Sequence, residues 1–287
     1  MTEIFTRFVF MVVLGLLSVA AFAQQAPQQD ISKIAGDLYR FQHNFHYSVF
    51  LVTPEGAIVT DPINKEAAQW LQDQIVQRFG LSIRYVVYSH DHADHISGGE
   101  VFQEAGALVI AHEAAKRDII DENHPTVVPD ITFDQKLTIE LGGKVVELSY
   151  VGRNHSDNSL VMHFPEERTL FAVDFIPVQS MPYQNLPDWY IPDWVDSLRA
   201  VEQMDFDILA PGHGPLGDKS DVTAIRRYAE KLIGAVSEAA RAGQTLEEAQ
   251  ASIVFPEYRD WSQYEQYLPL NIEGVYNRIQ LQRAGEN

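Results

Sequence analysis

Six consecutive residues, His90-Asp91-His92-Ala93-Asp94-His95, concentrate four metal-ligating side chains in one short run. Neutral imidazole and ionised carboxylate suit a borderline divalent ion such as zinc. The run follows residues 83–88, an apolar and β-branched stretch that reads as a buried strand. A tight loop leaving that strand can aim His90 and His92 at one ion, and Asp94 and His95 at a second. Ala93 adds no bulk between the pairs. Three further candidates each follow an apolar strand-like segment. His155 follows residues 145–151, Asp174 ends residues 169–173, and His213 in Pro211-Gly212-His213-Gly214 follows residues 208–210. The end of a sheet strand is where a rigid scaffold hands over to a loop that carries site groups. Any one of the three alone would read as structural; with the cluster they supply ligands for two ions.

His90-x-His92-x-Asp94-His95, followed by His155, Asp174 and His213, resembles the complete ligand pattern of the metallo-β-lactamase superfamily, over roughly residues 38–217. The resemblance implies an α/β fold: a four-layered αβ/βα sandwich with the site at one edge, here with additional C-terminal helices. It implies that His90, His92 and His155 hold a first ion, that Asp94, His95 and His213 hold a second, and that Asp174 bridges them. It implies Asp61 as a buried residue supporting the ligand loop. The expected cofactor is two zinc ions, with iron or manganese as alternatives. Two divalent ions ~3.5–4 Å apart share a water whose pKa falls toward ~7, and the resulting hydroxide attacks a carbonyl. Asp94 and Asp174 are then the catalytic carboxylates, with Asp94 orienting the nucleophile or shuttling a proton. The expected substrate is a β-lactam, lactone, ester or thioester. Asp174 departs from the Cys or Ser of the best-known lactamases and looks more like glyoxalase II-type thioesterases and lactonases. Two other classes compete. A mononuclear iron enzyme resembling persulfide dioxygenases would use His90, His155 and Asp174, leaving the other four without metal. A non-catalytic metal or substrate carrier would leave the site without turnover.

Bulk properties narrow the setting. The chain has 287 residues, ten histidines and no cysteine, so disulfides and thiolate metal ligands are excluded. A formal net charge of -19 disfavours nucleic acid, whose phosphates an acidic surface repels. Residues 1–23 read as a signal peptide: Arg7, an apolar run over 8–22, and the small-x-small site Ala21-Phe22-Ala23. A polar linker is expected over 24–30, the catalytic domain over 31–218 and a helical extension over 219–287. The protein is therefore expected in the periplasm or secreted, free of membrane after cleavage, and acting on a small molecule. A dimer through the C-terminal helices is one arrangement open to it.

The elements that must position these groups follow from periodicity and turn residues. Residues 38–42, 47–53 and 57–60 read as strands, the last two joined at Pro54-Glu55-Gly56. Residues 65–79 have helical spacing and stop at Gly80. A strand over 108–111 precedes a helix from Glu113, and hairpins follow over 137–151 and 159–173. Helices are expected over 196–204, 222–242, 246–252 and 271–283, with a short strand over 208–210. Strands alternating with helices in both halves suggest two sheets face to face with helices outside.

Residues 181–194 are rich in proline and aromatics and read as a substrate wall. Tyr183, Trp189 and Tyr190 are its candidate contacts, weighed evenly against core packing. Arg153 is the nearby cation that could hold a substrate carboxylate. Ser156 and Asn158 lie where they could touch substrate or shape a turn. For His43 and His46 a structural role is favoured over a place at the pocket mouth, and His112, His124 and His163 read as structural.

Overall fold

The computed structural model describes residues 27–285; the segment read as a signal peptide lies outside them. The first half of the chain builds a seven-stranded sheet in sequence order. Its strands are β1 (Gln29–Ala35), β2 (Leu38–His43), β3 (His46–Thr53), β4 (Gly56–Thr60), β5 (Ile83–Val87), β6 (Leu108–His112) and β7 (Ile131–Phe133). Strands β1 to β4 pair antiparallel, and β4 to β7 pair parallel. Helices α1 (Lys65–Phe79), α2 (Ala93–Ile96), α3 (Gly99–Glu104) and α4 (Glu113–Asp121) fill the connections after β4. The second half builds a five-stranded sheet ordered β12-β11-β10-β9-β8. These are β8 (Lys136–Leu141), β9 (Lys144–Tyr150), β10 (Leu160–Phe164), β11 (Thr169–Phe171) and β12 (Ile208–Ala210). Helices α5 (Ile191–Glu202), α6 (Lys219–Arg241), α7 (Leu246–Ser252) and α8 (Tyr264–Gly285) complete the chain.

Strand alternation sorts the apolar side chains into three layers. Val49, Leu51, Ile58, Leu148, Met162 and Phe171 point between the sheets. Their neighbours Phe50, Ala57 and Val59 point out, onto Ala68, Leu71 and Ile75 of α1. On the other side Val161, Leu170 and Leu209 face Trp194, Leu198, Ile225 and Leu232 of α5 and α6. The result is the expected four-layered sandwich. Helix α1 shows how locally determined the elements are. Asn64 caps it by accepting from Ala67 N–H at 2.9 Å, and Gly80, at φ 66°, ends it in the left-handed conformation.

Three features differ from expectation. Strand β1 begins at Gln29, inside the polar stretch expected as a linker, and pairs with β2 from Gln29↔His43. It is an edge strand with no fully buried residue, so its polar sequence carries little strand signal. Helix α8 begins seven residues before the expected start because Pro269 sits inside it. The expected helical extension is also joined to the domain, since α6, α7 and α8 share one apolar cluster with the second sheet and α5.

Candidate metal centre

All seven predicted ligands converge where both sheets end. Parallel pairing of β4 with β5 brings Asp61 and Ser89 out side by side, ahead of the ligand loop. Parallel pairing of β11 with β12 does the same for Asp174 and His213, each three residues past its strand. His155 lies in the connection from β9 to β10. Asp174 is at the centre. Its Oδ2 lies 3.1 Å from His95 Nε2, 3.4 Å from His155 Nε2 and 3.6 Å from His90 Nε2. Its Oδ1 is 3.4 Å from His213 Nε2. The His92 ring stands 4.4 Å from that of His90 and 4.9 Å from that of His155. Two groups share Asp174: His90, His92 and His155 on one side, His95 and His213 on the other. Asp94 joins the second side, its Oδ2 being 3.8 Å from both His95 Nε2 and His213 Nε2.

The surrounding oxygens fix the tautomers. Ser89 Oγ donates to Asp61 Oδ2 at 2.7 Å, so it accepts from His90 Nδ1–H at 2.9 Å. His95 Nδ1–H donates to Asp61 Oδ2 at 2.9 Å, His155 Nδ1–H to Asn154 Oδ1 at 3.2 Å, and His213 Nδ1–H to the Phe45 carbonyl at 3.1 Å. Each Nε2 points inward, the orientation that metal-ligating histidines adopt. His90 Nε2 and His155 Nε2 then face one another at 3.2 Å with no proton to share. Asp174 Oδ1 and His95 Nε2 are buried and lack a hydrogen-bond partner. Lone pairs and carboxylate oxygens packed this closely repel one another unless a cation lies among them. The donor set of imidazole nitrogen and carboxylate oxygen therefore fits divalent metal ions.

The electrostatics divide the cluster. Burial, with neighbouring imidazoles, pushes His90 well below the ordinary histidine range. Burial also lowers His92 and His213. Burial would lower His95 too, but the Asp174 and Asp61 carboxylates override it and hold its pKa well above the usual value. Burial opposes ionisation of Asp94, yet the hydrogen bond from His46 and the charge of His95 bring its pKa down to about 2.

Backbone constraints hold the cluster. Asp174 sits at φ 59°, and Phe175 N–H reaches back to the Val173 carbonyl at 2.6 Å, a tight turn that throws the carboxylate into the centre. A left-handed aspartate is uncommon, and such strain concentrates at functional sites. Gly212 is required beside His213, because a Cβ there would stand 2.9 Å from His95 Cε1 and 3.0 Å from Val173 Cγ1. Arg40, buried and stacked 3.6 Å over Tyr47, donates to the carbonyls of Pro211 and Gly214 and so fastens the His213 loop. Asp61 is fully buried and takes Ser89 N–H at 2.7 Å in addition to its other two donors. Asn158 is buried on the far side of the ligand loop, accepting Asp91 N–H and donating to Asp91 Oδ1 and Asp118 Oδ2, which makes it a loop fastener.

The cluster opens into a cleft of about 610 Å³. Its walls include Tyr183 and Trp189, as the sequence suggested, but neither Tyr190 nor Arg153. Arg153 is bound to Asp193 at 2.5–2.6 Å and lies 4.8 Å over the Tyr190 ring, so both are turned to an outer contact. Trp189 is only 3 % exposed and packs edge-on to Trp194 at 4.3 Å and to His155 at 6.0 Å, serving core and wall at once. His46 also lines the cleft, with Nε2 3.3 Å from Asp94 Oδ2 and its ring 4.8 Å from that of His213. This overturns the structural role favoured for it. Its place at the mouth of the β2–β3 hairpin, opposite the site edge, was the available signal. His43, by contrast, is buried against Gln29 Nε2. His112 caps α4 and reaches the Asp134 carbonyl, and His163 pairs with Glu147, both structural as expected. His124 lies 3.2 Å from Glu122 and 3.8 Å from Asp91, apart from the cluster. Two further wall residues, Phe45 and Tyr267, carry no local sequence signal. Tyr267 comes from α8, whose Asn271 is buried, donates to the carbonyls of Pro182 and Gln184 and accepts from Tyr228. The C-terminal helices thus hold the wall in place.

Fold and site define a metal-binding sandwich whose ligands come from both sheets. The model of the metallo-beta-lactamase superfamily matches residues 43–213, and the chain belongs to that superfamily. A metallo-beta-lactamase type 2 from Elizabethkingia meningoseptica is 27% identical over 173 residues, covering 57% of this chain and 69% of that protein. The 2,4-dinitroanisole O-demethylase subunit alpha of Nocardioides sp. (strain JS1661) is also 27% identical, over 46% of this chain and 40% of its own length. Among solved structures, a metallo-beta-lactamase from Pontibacter korlensis shares the fold with a TM-score of 0.64 at 23% identity, covering 71% of this chain and 99% of that one. Members of the superfamily are typically hydrolases, and this chain has their fold.

Proposed function

We propose that the chain is an exported di-zinc hydrolase that cleaves a carbonyl substrate with an activated water. The observation that carries this reading is the set of four histidines whose Nδ1 atoms are all engaged outward, which aims four Nε2 atoms at Asp174. His90, His92 and His155 would hold one ion, Asp94, His95 and His213 the other, with Asp174 between them. Zinc bound there would supply the activated water and polarise the scissile carbonyl.

The chain's own residues do the remaining work. Trp189 and Tyr183 form an apolar wall that orients the acyl or leaving group beside the metal centre. Asp94 is half exposed to the cleft, where it would orient the water through an accepted hydrogen bond or shuttle its proton. Asp61 and Ser89 keep His90 and His95 in the ligating tautomer. Export rests on the reading of residues 1–23. The relatives are named for different chemistries, a β-lactamase and a demethylase of 2,4-dinitroanisole, so the family leaves the substrate open.

Metal analysis of the purified chain, with a panel of chromogenic lactam, lactone, ester and thioester substrates, tests this. Two zinc ions per chain and zinc-dependent turnover are expected. A single ion with full activity refutes the two-metal reading. Bound iron with oxygen uptake on a persulfide replaces it with an oxygenase.

A further inference from the structure

We propose that the cleft selects an uncharged, apolar or aromatic ester or lactone and rejects substrates bearing an anionic group away from the reacting bond. This rests on the hydrolase reading above and names its substrate class. Around the metal-binding groups, Phe45, Ile176, Met181, Tyr183, Trp189 and Tyr267 line the cleft. The carboxylates that face it are Asp94, Asp174 and Asp188. Among the described residues that line it, none is Lys or Arg. Arg153, Arg40 and Arg278 approach the wall from behind without lining it. Arg153 is paired with Asp193, Arg40 donates to the carbonyls of Pro211 and Gly214, and Arg278 donates to the Pro187 carbonyl at 3.2 Å.

Asp188 makes the selection active. Metal ions would neutralise Asp94 and Asp174, but Asp188 belongs to none of the metal-binding groups. It stands on the wall, 4.0 Å from His92 Nε2, with its side chain 61% exposed. On the wall away from the metal centre, an anionic substituent would give up water for apolar side chains and would meet Asp188. A neutral substrate incurs neither cost and gains from aromatic contact.

Phenyl butyrate and its 4-sulfophenyl analogue test this with the zinc-loaded protein, since a sulfonate is a poor zinc ligand. Each rate is normalised to the same ester's hydrolysis by hydroxide. The neutral ester is expected to show kcat/KM at least about tenfold higher. Asp188→Asn should narrow the ratio about threefold and Asp188→Arg about tenfold, the modest sizes reflecting solvent screening at an exposed side chain. Calorimetric titration with the corresponding amides, butyranilide and its 4-sulfonate, reads the same preference without turnover. If neither ester is cleaved while the lactam, lactone and thioester panel also shows no turnover, the hydrolase reading fails, and the amide titration still decides charge selection. Equal or tighter binding of the sulfonate, or a ratio unmoved by Asp188→Arg, overturns the proposal.

Discussion

Asp61→Asn removes one charge and almost no volume from a fully buried position. The native carboxylate takes three donors: Ser89 N–H on Oδ1, and Ser89 Oγ–H and His95 Nδ1–H on Oδ2, at 2.7, 2.7 and 2.9 Å. Asparagine has a single acceptor oxygen, so its NH2 group must face a donor on one side. If the oxygen stays with His95, the Ser89 N–H loses its acceptor; if the amide turns over, His95 does. Either way a buried donor is left unpaired, which costs about 1–3 kcal/mol. The second effect falls on metal affinity. Removing a carboxylate that orients a ligating histidine typically costs about 10–100-fold, or about 1.4–2.7 kcal/mol. The two effects separate experimentally. Urea unfolding in the presence of EDTA reads the first. Zinc titration against a chromophoric chelator reads the second, and the loss should fall on the ion shared by His95 and His213. Unfolding at the native urea midpoint together with native affinity for both ions would refute the argument.

Other expectations follow from the same geometry. His46→Ala should raise the Asp94 pKa and weaken the second ion about tenfold by chelator competition, with the first ion unchanged. Gly212→Ala and Gly274→Ala form a contrast. The first drives a Cβ onto His95 and should lower zinc content, whereas the second drives one onto the Asn185 carbonyl and should raise KM at full zinc occupancy. Asp218→Ala removes the N-cap of α6 and should cost about 1 kcal/mol by thermal unfolding at neutral pH. The hydrogen bonds from Ser220 hold the Asp218 carboxyl below its ordinary value. Its contribution is therefore full above the unfolded carboxylate pKa and disappears as pH falls through the folded one, so native and variant unfolding should converge in acid.

The ligand set is legible in the sequence because its chemistry is local. His90 to His95 is contiguous, and His155, Asp174 and His213 each sit just beyond an apolar strand. Apolar periodicity likewise reveals α1, β5 and the central hairpins, whose buried residues fall on one face or alternate. What is not legible depends on residues far apart in the chain. Arg153 looks like a free cation until the fold brings in Asp193, forty positions away. His46 looks structural until the β2–β3 hairpin reaches Asp94, 48 positions on. Tyr267 enters the cleft only because Asn271 ties α8 to the wall loop across nearly ninety residues. Strand β1 and the first turns of α8 are hidden for local reasons, a polar edge sequence and an internal proline.

The metal-binding groups and the cleft wall are held by different parts of the chain. The metal cluster is unfavourable on its own terms, with lone pairs and carboxylate oxygens 3.1–3.6 Å apart and Asp174 in a strained backbone conformation. Such a cluster persists only where its surroundings over-determine it. That support comes from parallel strand ends, buried Asp61 and the inter-sheet core, nearly all of it within the segment shared with the superfamily. The wall is different. Tyr183 and Asp188 lie on a long loop over α5, and that loop is pinned by Asn271 and Arg278 from a helix beyond residue 213, outside the family match. Changes in α8 can therefore reshape the wall without touching a ligand. Helix α8, which the ligand pattern leaves unread, supplies Tyr267 to the wall and holds the loop that carries Tyr183 and Asp188.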